Sequence, residues 1–466
     1  MDPKGTSYFI RKIIPLLFVV LQACHQGNPG KTGTAGKEFL NDLKQRTFRY
    51  FWDRADKTTY QIDDRYPTPR FTSIAATGFG LSSYLVGIEN GYISRNQGAE
   101  RVLRTLRWLW NSGQGDGNEG YTGYRGFYYH FLNYGDGTRY RDVELSTIDT
   151  GLLMAGILSC QSYFNGQEPD EQEIRMLADS LYLRVEWDWA MNGREHMSMG
   201  WKPGQGFIPA TWKGYNEAMV LLIMAMGSPS HPIPDDAWGS WYSTYNWADF
   251  YGFKHVNFSP LFGHQYSHMF IDFKGIQDQY MKKKGIDYFE NSRRATLANR
   301  AYCIDNPSGF EGYGENIWGL SACDGPGRTT RTVGKDTVVY WSYRARGASS
   351  LNIVDDGTIA PTAAGGSIPF APDECLSALV RMKKDYGDLL YREYGFLDAF
   401  NPGFVNDEGK KGWYDQDYIG IDQGPIIIQL ENQQSGLIWE LMKKNRYIVR
   451  GLEAAGFTGG WLDEIK

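Results

Sequence analysis

The chain has 466 residues, with 48 Lys and Arg against 54 Asp and Glu and a formal net charge of -6. The mild acidic excess and the lack of a basic stripe argue against a nucleic-acid binder, and no run of like charge marks a charged tail. Aromatic residues make up 15% of the chain, beside 55 glycines. Most single rings are expected in the core. An excess of this kind also suits a sugar cleft, since rings stack on apolar sugar faces and Tyr and Trp add a polar handle.

At the N-terminus Lys4, Arg11 and Lys12 precede an apolar stretch from Ile13 to Leu21. It is too short to span a bilayer and fits a signal peptide. The run Leu21-Gln22-Ala23-Cys24 resembles a bacterial lipobox, which would make Cys24 a lipidated mature N-terminus. Residues 1–23 are therefore read as a lipoprotein signal peptide, 24–37 as the lipidated cysteine with a flexible tether, and 38–466 as one domain. The tether lacks an acidic run, so the expected address is a periplasm-facing lipid anchor rather than the cell surface. Among the other cysteines, Cys303 and Cys323 flank a Gly-rich loop and could pair in an oxidising compartment. Cys160 lies in an apolar stretch suited to burial. No CxxC or Cys/His cluster points to zinc.

Periodicity predicts about twelve helices, near 38–55, 72–90, 99–112, 146–164, 171–190, 216–228, 235–245, 265–280, 287–305, 372–388, 429–441 and 444–456. Segments 73–84, 146–160 and 216–226 are apolar nearly all round, which marks helices buried on most sides. Segments 100–110 and 171–189 have one charged and one apolar face. Alternation of the two kinds in about six pairs predicts an all-α fold, an (α/α)6 barrel with inner and outer helices; an α-solenoid would need a fixed repeat, and none is visible. Residues 306–370 are Gly-rich, with a β-prone run at Thr337–Trp341, and are expected to form a long functional loop over the barrel mouth.

Acidic residues gather at the starts of the buried segments. In Arg141-Asp142-Val143-Glu144-Leu145-Ser146-Thr147-Ile148-Asp149, Ser146 is a plausible N-cap and Asp149 falls in the first turn, where a capping box alone could explain it. Asp142 would lie at the rim. In Trp212-Lys213-Gly214-Tyr215-Asn216-Glu217, Asn216 is the expected cap and Glu217 opens an apolar helix. The helix dipole favours its charged form, while burial beside Trp212 and Tyr215 favours the neutral acid that a general acid needs. Asp398 stands alone among aromatics in Gly395-Phe396-Leu397-Asp398-Ala399-Phe400. Asp422 and Gln423 follow in a Gly/Pro turn where an Asx role would also serve. His264 and His268 are spaced for one helix face, but no HExxH is present; substrate hydrogen bonding or a satisfied core pair fits better than a metal. No Gly-x-Ser-x-Gly elbow or phosphate loop occurs. Carboxylates and aromatics in a barrel are the equipment of glycoside hydrolysis, with no cofactor or metal expected.

The segments Gly214-Tyr215-Asn216-Glu217, Trp341-Ser342-Tyr343-Arg344, Ile359-Ala360-Pro361-Thr362-Ala363-Ala364-Gly365-Gly366-Ser367, Gly395-Phe396-Leu397-Asp398-Ala399-Phe400 and Ile421-Asp422-Gln423-Gly424-Pro425 together resemble the bacterial glycoamylase domain, and within it glycoside hydrolase family 144. The resemblance runs over 38–460. It implies an (α/α)6 barrel and inverting hydrolysis of β-1,2-glucan or its oligosaccharides, either endo or exo with release of sophorose. It makes Glu217 the leading general acid and Asp398 the first choice of base, with Asp149 and Asp142 in reserve. Subsite walls are expected from Arg125, Trp212, Tyr215, His264, Trp318 and Arg344, with Asp422 and Gln423 also facing substrate. The expected state is a monomer that meets the membrane through its lipid alone and binds no nucleic acid. Other readings are a glucosidase of another linkage, a non-catalytic glycan-binding lipoprotein, and a lyase, which the carboxylate-rich motifs and the net charge disfavour.

Overall fold

The computed structural model describes residues 34–68, 71–333 and 336–465. The signal peptide and Cys24 lie outside the described residues. Residues 34–37, assigned to the tether, instead begin the first helix, α1 (Thr34–Asp53).

The other helices are α2 (Ile74–Glu89), α3 (Arg95–Asn111), α4 (Thr147–Tyr163), α5 (Pro169–Leu183), α6 (Trp187–Met191), α7 (Met219–Gly227), α8 (Ala237–Ser243), α9 (Tyr266–Phe270), α10 (Gln279–Lys284), α11 (Tyr288–Asp305), α12 (Pro361–Gly365), α13 (Pro372–Tyr386), α14 (Gly420–Gln434), α15 (Leu437–Met442), α16 (Arg446–Ala454) and α17 (Gly460–Glu464). None is long and apolar enough to cross a membrane.

Two classes of helix follow from the sequence pattern. Every residue of α7 is buried, as is α2 from Ile74 to Gly87. Helix α3 buries one stripe, including Val102, Leu106 and Leu109. The buried helices pack on one another: α2 on α4 and α14, α4 on α7, α7 on α9, and α14 on α9 and α12. The amphipathic ones cover them, with α1 on α2 and α14, α3 on α2, α5 on α4, α13 on α12 and α16 on α7. Glycine permits the closest approach. A Cβ on Gly156 of α4 would stand 2.1 Å from the carbonyl oxygen of Gly78 on α2.

Short strands brace the loops that enter the buried helices. Segment 145–146, just before α4, pairs with 128–129 on one side and 200–201 on the other. Segment 65–66 pairs with 418–419, tying the Asp64–Arg65 loop to the start of α14. Within 306–370, strands 329–333 and 336–340 make an antiparallel hairpin.

Several expectations are corrected. The helix expected over 171–190 breaks between Leu183 and Trp187. The helix expected over 265–280 is broken: Tyr266–Phe270 is α-helical, and a separate helix begins only at Gln279. Helix α14 starts at Gly420, where a turn was expected, and ends before Gly436, whose φ of +73° suits glycine. Pro425 sits inside α14 and leaves the carbonyl of Ile421 without its helical N–H donor; the Tyr266 hydroxyl donates to that oxygen instead, at 3.3 Å. Cys303 and Cys323 are free, buried thiols rather than a disulfide.

Candidate active site

The N-terminal ends of the buried helices converge on a cavity of about 510 Å3, to which α2, α4, α7, α9 and α14 bring Ser73, Asp149, Glu217, Tyr266 and Ile421. Ser73 and Ser146 cap α2 and α4 by accepting from the backbone N–H groups of Ala76 and Asp149, which fixes where these helices start.

Glu217 lies in the turn that leads into α7. Asn216 shapes that turn by accepting from the N–H of Ala218 at 3.0 Å, two residues ahead of Ala218 at the helix cap. The Glu217 carbonyl accepts from the Ser267 hydroxyl at 3.0 Å, so the backbone is anchored. The carboxyl oxygen Oε2 is shielded and has no hydrogen-bond partner. Burial pushes Glu217 up to about 7, with a further push from the charge of Asp149. Such a carboxyl keeps its proton near neutral pH and can donate it.

Asp149 is wedged beside a histidine that the sequence reading missed. Nε2 of His130 stands 3.6 Å from Asp149 Oδ1, and Nδ1 stands 2.8 Å from Glu144 Oε1. The Ser146 hydroxyl donates to the other oxygen of Asp149. Burial alone would lower His130, but the charges of Asp149, Glu144 and Asp64 hold it at about 9. Burial likewise pushes Glu144 upward, and its bond to His130 overrides this and brings it to about 2. Asp149 is raised by burial against the lowering effect of His130 and Ser146.

A second acidic group stands near the start of α14, which is separated from α7 by α9 on one side and by α2 and α4 on the other. Asp398 and Asp422 are buried side by side. Oδ2 of Asp398 accepts from the N–H of Asp324 at 2.7 Å, while Oδ1 has no partner. Burial, then the charges of Asp422 and Asp415, raise Asp398 well above the usual range. Burial brings Asp422 to about 8 and Asp415 to about 7. Packed like charges of this kind share protons. The nearby cation is Arg65, which bonds Asp64 at 3.1 Å and Asp324 at 2.7 Å and lies 3.7 Å from Asp417. Asp324, Asp415 and Asp417 are the described residues that could hold a metal, and Arg65 already supplies positive charge to them. Asp324, Asp415 and Trp413 line a further cavity of about 320 Å3 that shares Arg65, Phe71 and Tyr343 with the main one. Burial and the charges of Asp422, Glu217, Asp149 and Asp398, members of both acidic groups, all raise the Tyr266 hydroxyl.

The structure thus brings Glu217 and Asp149 to one cavity and puts Asp398, Asp422 and Gln423 behind its wall. The Gln423 amide is spent on the Phe396 carbonyl at 2.9 Å. Asp142 points into solvent, 89% exposed and 3.6 Å from Lys202, because it precedes the strand that turns the chain inward. The expected subsite walls are mostly core. Trp212 donates its indole N–H to Thr147 at 2.9 Å, Tyr215 stacks near His264 at 4.8 Å, and Trp318 is fully buried. His264 and His268 are core residues bonded through Nε2 to the Phe258 carbonyl and to Ser292, while the buried Nδ1 of each has no partner, and burial pushes both downward. Arg125 pairs with Glu186 away from the cavity. Arg344 lies over Trp341 at 4.5 Å and lines a third cavity of about 700 Å3, which shares Tyr343 and Ala345 with the main one. Asp64, Arg65, His130, Tyr266, Asp324 and Asp415 were missed. A sequence signal existed for some: Asp415-Gln416-Asp417 is flanked by Tyr414 and Tyr418, and Asp63-Asp64-Arg65 runs into a Pro-bounded loop.

The Glycoamylase family model, a glucoamylase family, matches residues 209–446. The exo beta-1,2-glucooligosaccharide sophorohydrolase (non-reducing end) of Parabacteroides distasonis is 28% identical over 474 residues, 92% of this chain and 60% of that protein. The chain therefore spans 60% of the length of this curated relative. Among solved structures, the endo-β-1,2-glucanase of Chitinophaga pinensis in complex with sophorotriose and glucose superposes with a TM-score of 0.78 at 30% identity, covering 91% of this chain and 99% of that one. The β-1,2-glucanase of Parabacteroides distasonis gives 0.77 at 26% identity, covering 90% and 60%. With a family model over half its length and a relative of this identity matched end to end, the chain belongs to the glycoamylase-domain family, related there to bacterial β-1,2-glucanases and an exo sophorohydrolase.

Proposed function

We propose that the protein is a glycoside hydrolase that cleaves β-1,2-glucosidic bonds in β-1,2-glucan or its oligosaccharides with inversion. The observation that carries this is Glu217, a shielded carboxyl held at about 7 in a cavity that Asp64 and Asp149 also line and that adjoins a second one lined by Asp324 and Asp415. Glu217 protonates the departing glycosidic oxygen. Asp415, the member of the second acidic group that lines the adjoining cavity, takes the proton of the attacking water in its ionised form, as the second carboxylate of an inverting pair does, with Asp398 and Asp422 packed behind it. Tyr343, Trp413 and Phe71 offer ring faces to the sugars. The β-1,2 linkage rests on the relatives named above. In this reading α2, α4, α7, α9, α12 and α14 form the inner ring of an (α/α)6 barrel, a reading supported by their mutual packing. The chain is anchored in the periplasm through lipidated Cys24.

The test is product analysis with a chain starting at His25, as wild type and E217Q, on β-1,2-glucan, short β-1,2-glucooligosaccharides, starch and β-1,3-glucan. The expected result is cleavage of β-1,2 substrates alone, with α-anomeric product by NMR and loss of cleavage in E217Q. Sophorose alone from short oligosaccharides means exo action, and a ladder from the polymer means endo action. Cleavage of starch, or E217Q as active as wild type, overturns the proposal.

A further inference from the structure

His130 stands between two carboxylates that no hydrolytic step above employs directly, yet it lines the same cavity as Glu217. It is built in rather than incidental. Its Nδ1 stands 2.8 Å from Glu144, its Nε2 3.6 Å from Asp149, and its ring lies on Phe131 with centroids 3.9 Å apart. Its own N–H donates to the Glu144 carbonyl, and its carbonyl accepts the first N–H of α2. The imidazole is thereby fixed across the entrances of α2 and α4. Asp149 needs such a partner. It is 3% exposed, and the Ser146 hydroxyl donates to one of its oxygens while His130 faces the other.

We propose that His130 is a positioning residue: clamped by Glu144, it holds Asp149 as an anion beside Glu217, and that anion keeps the proton on Glu217 until the sugar arrives. The inference rests on the reading of Glu217 as general acid.

The charged neighbours support this order of action. Around His130 stand Glu144, Asp149 and Asp64, and Asp64 is in turn bonded to Arg65. Glu144 faces His130 and Lys202. Asp149 faces His130, Ser146 and Glu144. Glu217 is raised by burial and by the charge of Asp149, and Glu217, Asp149 and Tyr266 line the same cavity. His130 therefore reaches Glu217 through Asp149. Without the imidazolium, a buried Asp149 beside an ionised Glu144 takes up a proton, its push on Glu217 vanishes, and Glu217 ionises at lower pH.

The experiment is the pH profile of kcat/KM on β-1,2-glucooligosaccharides for wild type, H130Q, E144Q, D149N and the H130Q/D149N double variant. Difference infrared titration of the carboxyls, wild type against E217Q, reads the same proton without substrate. The expected result is an alkaline limb moved to lower pH in H130Q and, more weakly, in E144Q, with the double variant no further displaced than D149N by infrared titration. A limb that stays, moves to higher pH, or moves additively in the double variant overturns the inference. Should H130Q not fold, E144Q carries the same test with the imidazole intact. An active E217Q would sink the general-acid reading itself, whereas an inactive E217Q with an unmoved H130Q limb sinks this inference alone.

Discussion

Glu217 illustrates how one residue acquires a role from its surroundings. The sequence shows an acid opening an apolar helix, where the dipole favours the anion and burial the neutral acid. The structure decides in favour of burial, because α7 proper starts two residues later and the carboxyl lies in the turn before it. A general acid contributes about 100- to 10,000-fold, so E217Q is expected to lose kcat/KM on that scale while sophorose or glucan still binds, as isothermal calorimetry would register. The alkaline fall of kcat/KM in the wild type should centre near the value of about 7 held by Glu217. An E217Q chain that lost binding along with turnover would point to a folding role instead. Residue types at helix starts were legible in this way. The partners that tune them were not, because His130 and the Asp64–Arg65 pair come from two loops that only the packed helices bring together.

At the scale of elements, the two helix classes were legible because burial on all sides leaves no polar face, as in α7, whereas one-sided burial leaves a stripe, as in α3. Breaks inside the longer segments were harder to read. Helix α14 contains Pro425, which argues for a turn, yet Tyr266 satisfies the freed carbonyl from another helix; no local pattern carries that information. The glycines of the buried helices act at the same scale. At Gly156, alanine would gain about 0.5–1 kcal/mol of helix propensity. Its Cβ would meet a backbone oxygen at 2.1 Å, however, and no side-chain rotation relieves that contact. Overpacking costs about 1–3 kcal/mol, so G156A is expected to lower the urea midpoint. Because Asp149 and Ser73 start the two helices that would be pushed apart, kcat/KM of the folded fraction should fall as well. An unchanged midpoint would mean that α2 and α4 slide without cost.

Across the whole molecule, buried acids near the cavity set how stability depends on pH. A carboxyl raised on folding holds its proton more tightly in the folded chain than in the unfolded one. Its contribution is full below the unfolded value and is lost as pH rises through the folded value. Asp64, raised by burial from 3.8 to about 6, Asp415 to about 7 and Asp422 to about 8 act in this sense, as does Glu217 from 4.5 to about 7. His130, raised from 6.5 to about 9, adds a loss over that higher window. Glu144, lowered from 4.5 to about 2, works in the opposite sense, and its contribution disappears as the solution becomes strongly acidic. Thermal unfolding followed by circular dichroism is therefore expected to give a Tm that is highest near the lower end of the window, around pH 5, and falls steadily toward pH 9. Reductant should leave the curve in place, since Cys160, Cys303, Cys323 and Cys375 are buried free thiols. D422N removes one of the packed like charges, so its Tm should exceed that of the wild type at pH 8 and converge with it at pH 5, where the aspartate already carries a proton. A Tm that instead rose between pH 5 and pH 8, or a D422N chain with the slope unchanged, would mean that the fold holds these carboxylates comfortably as anions.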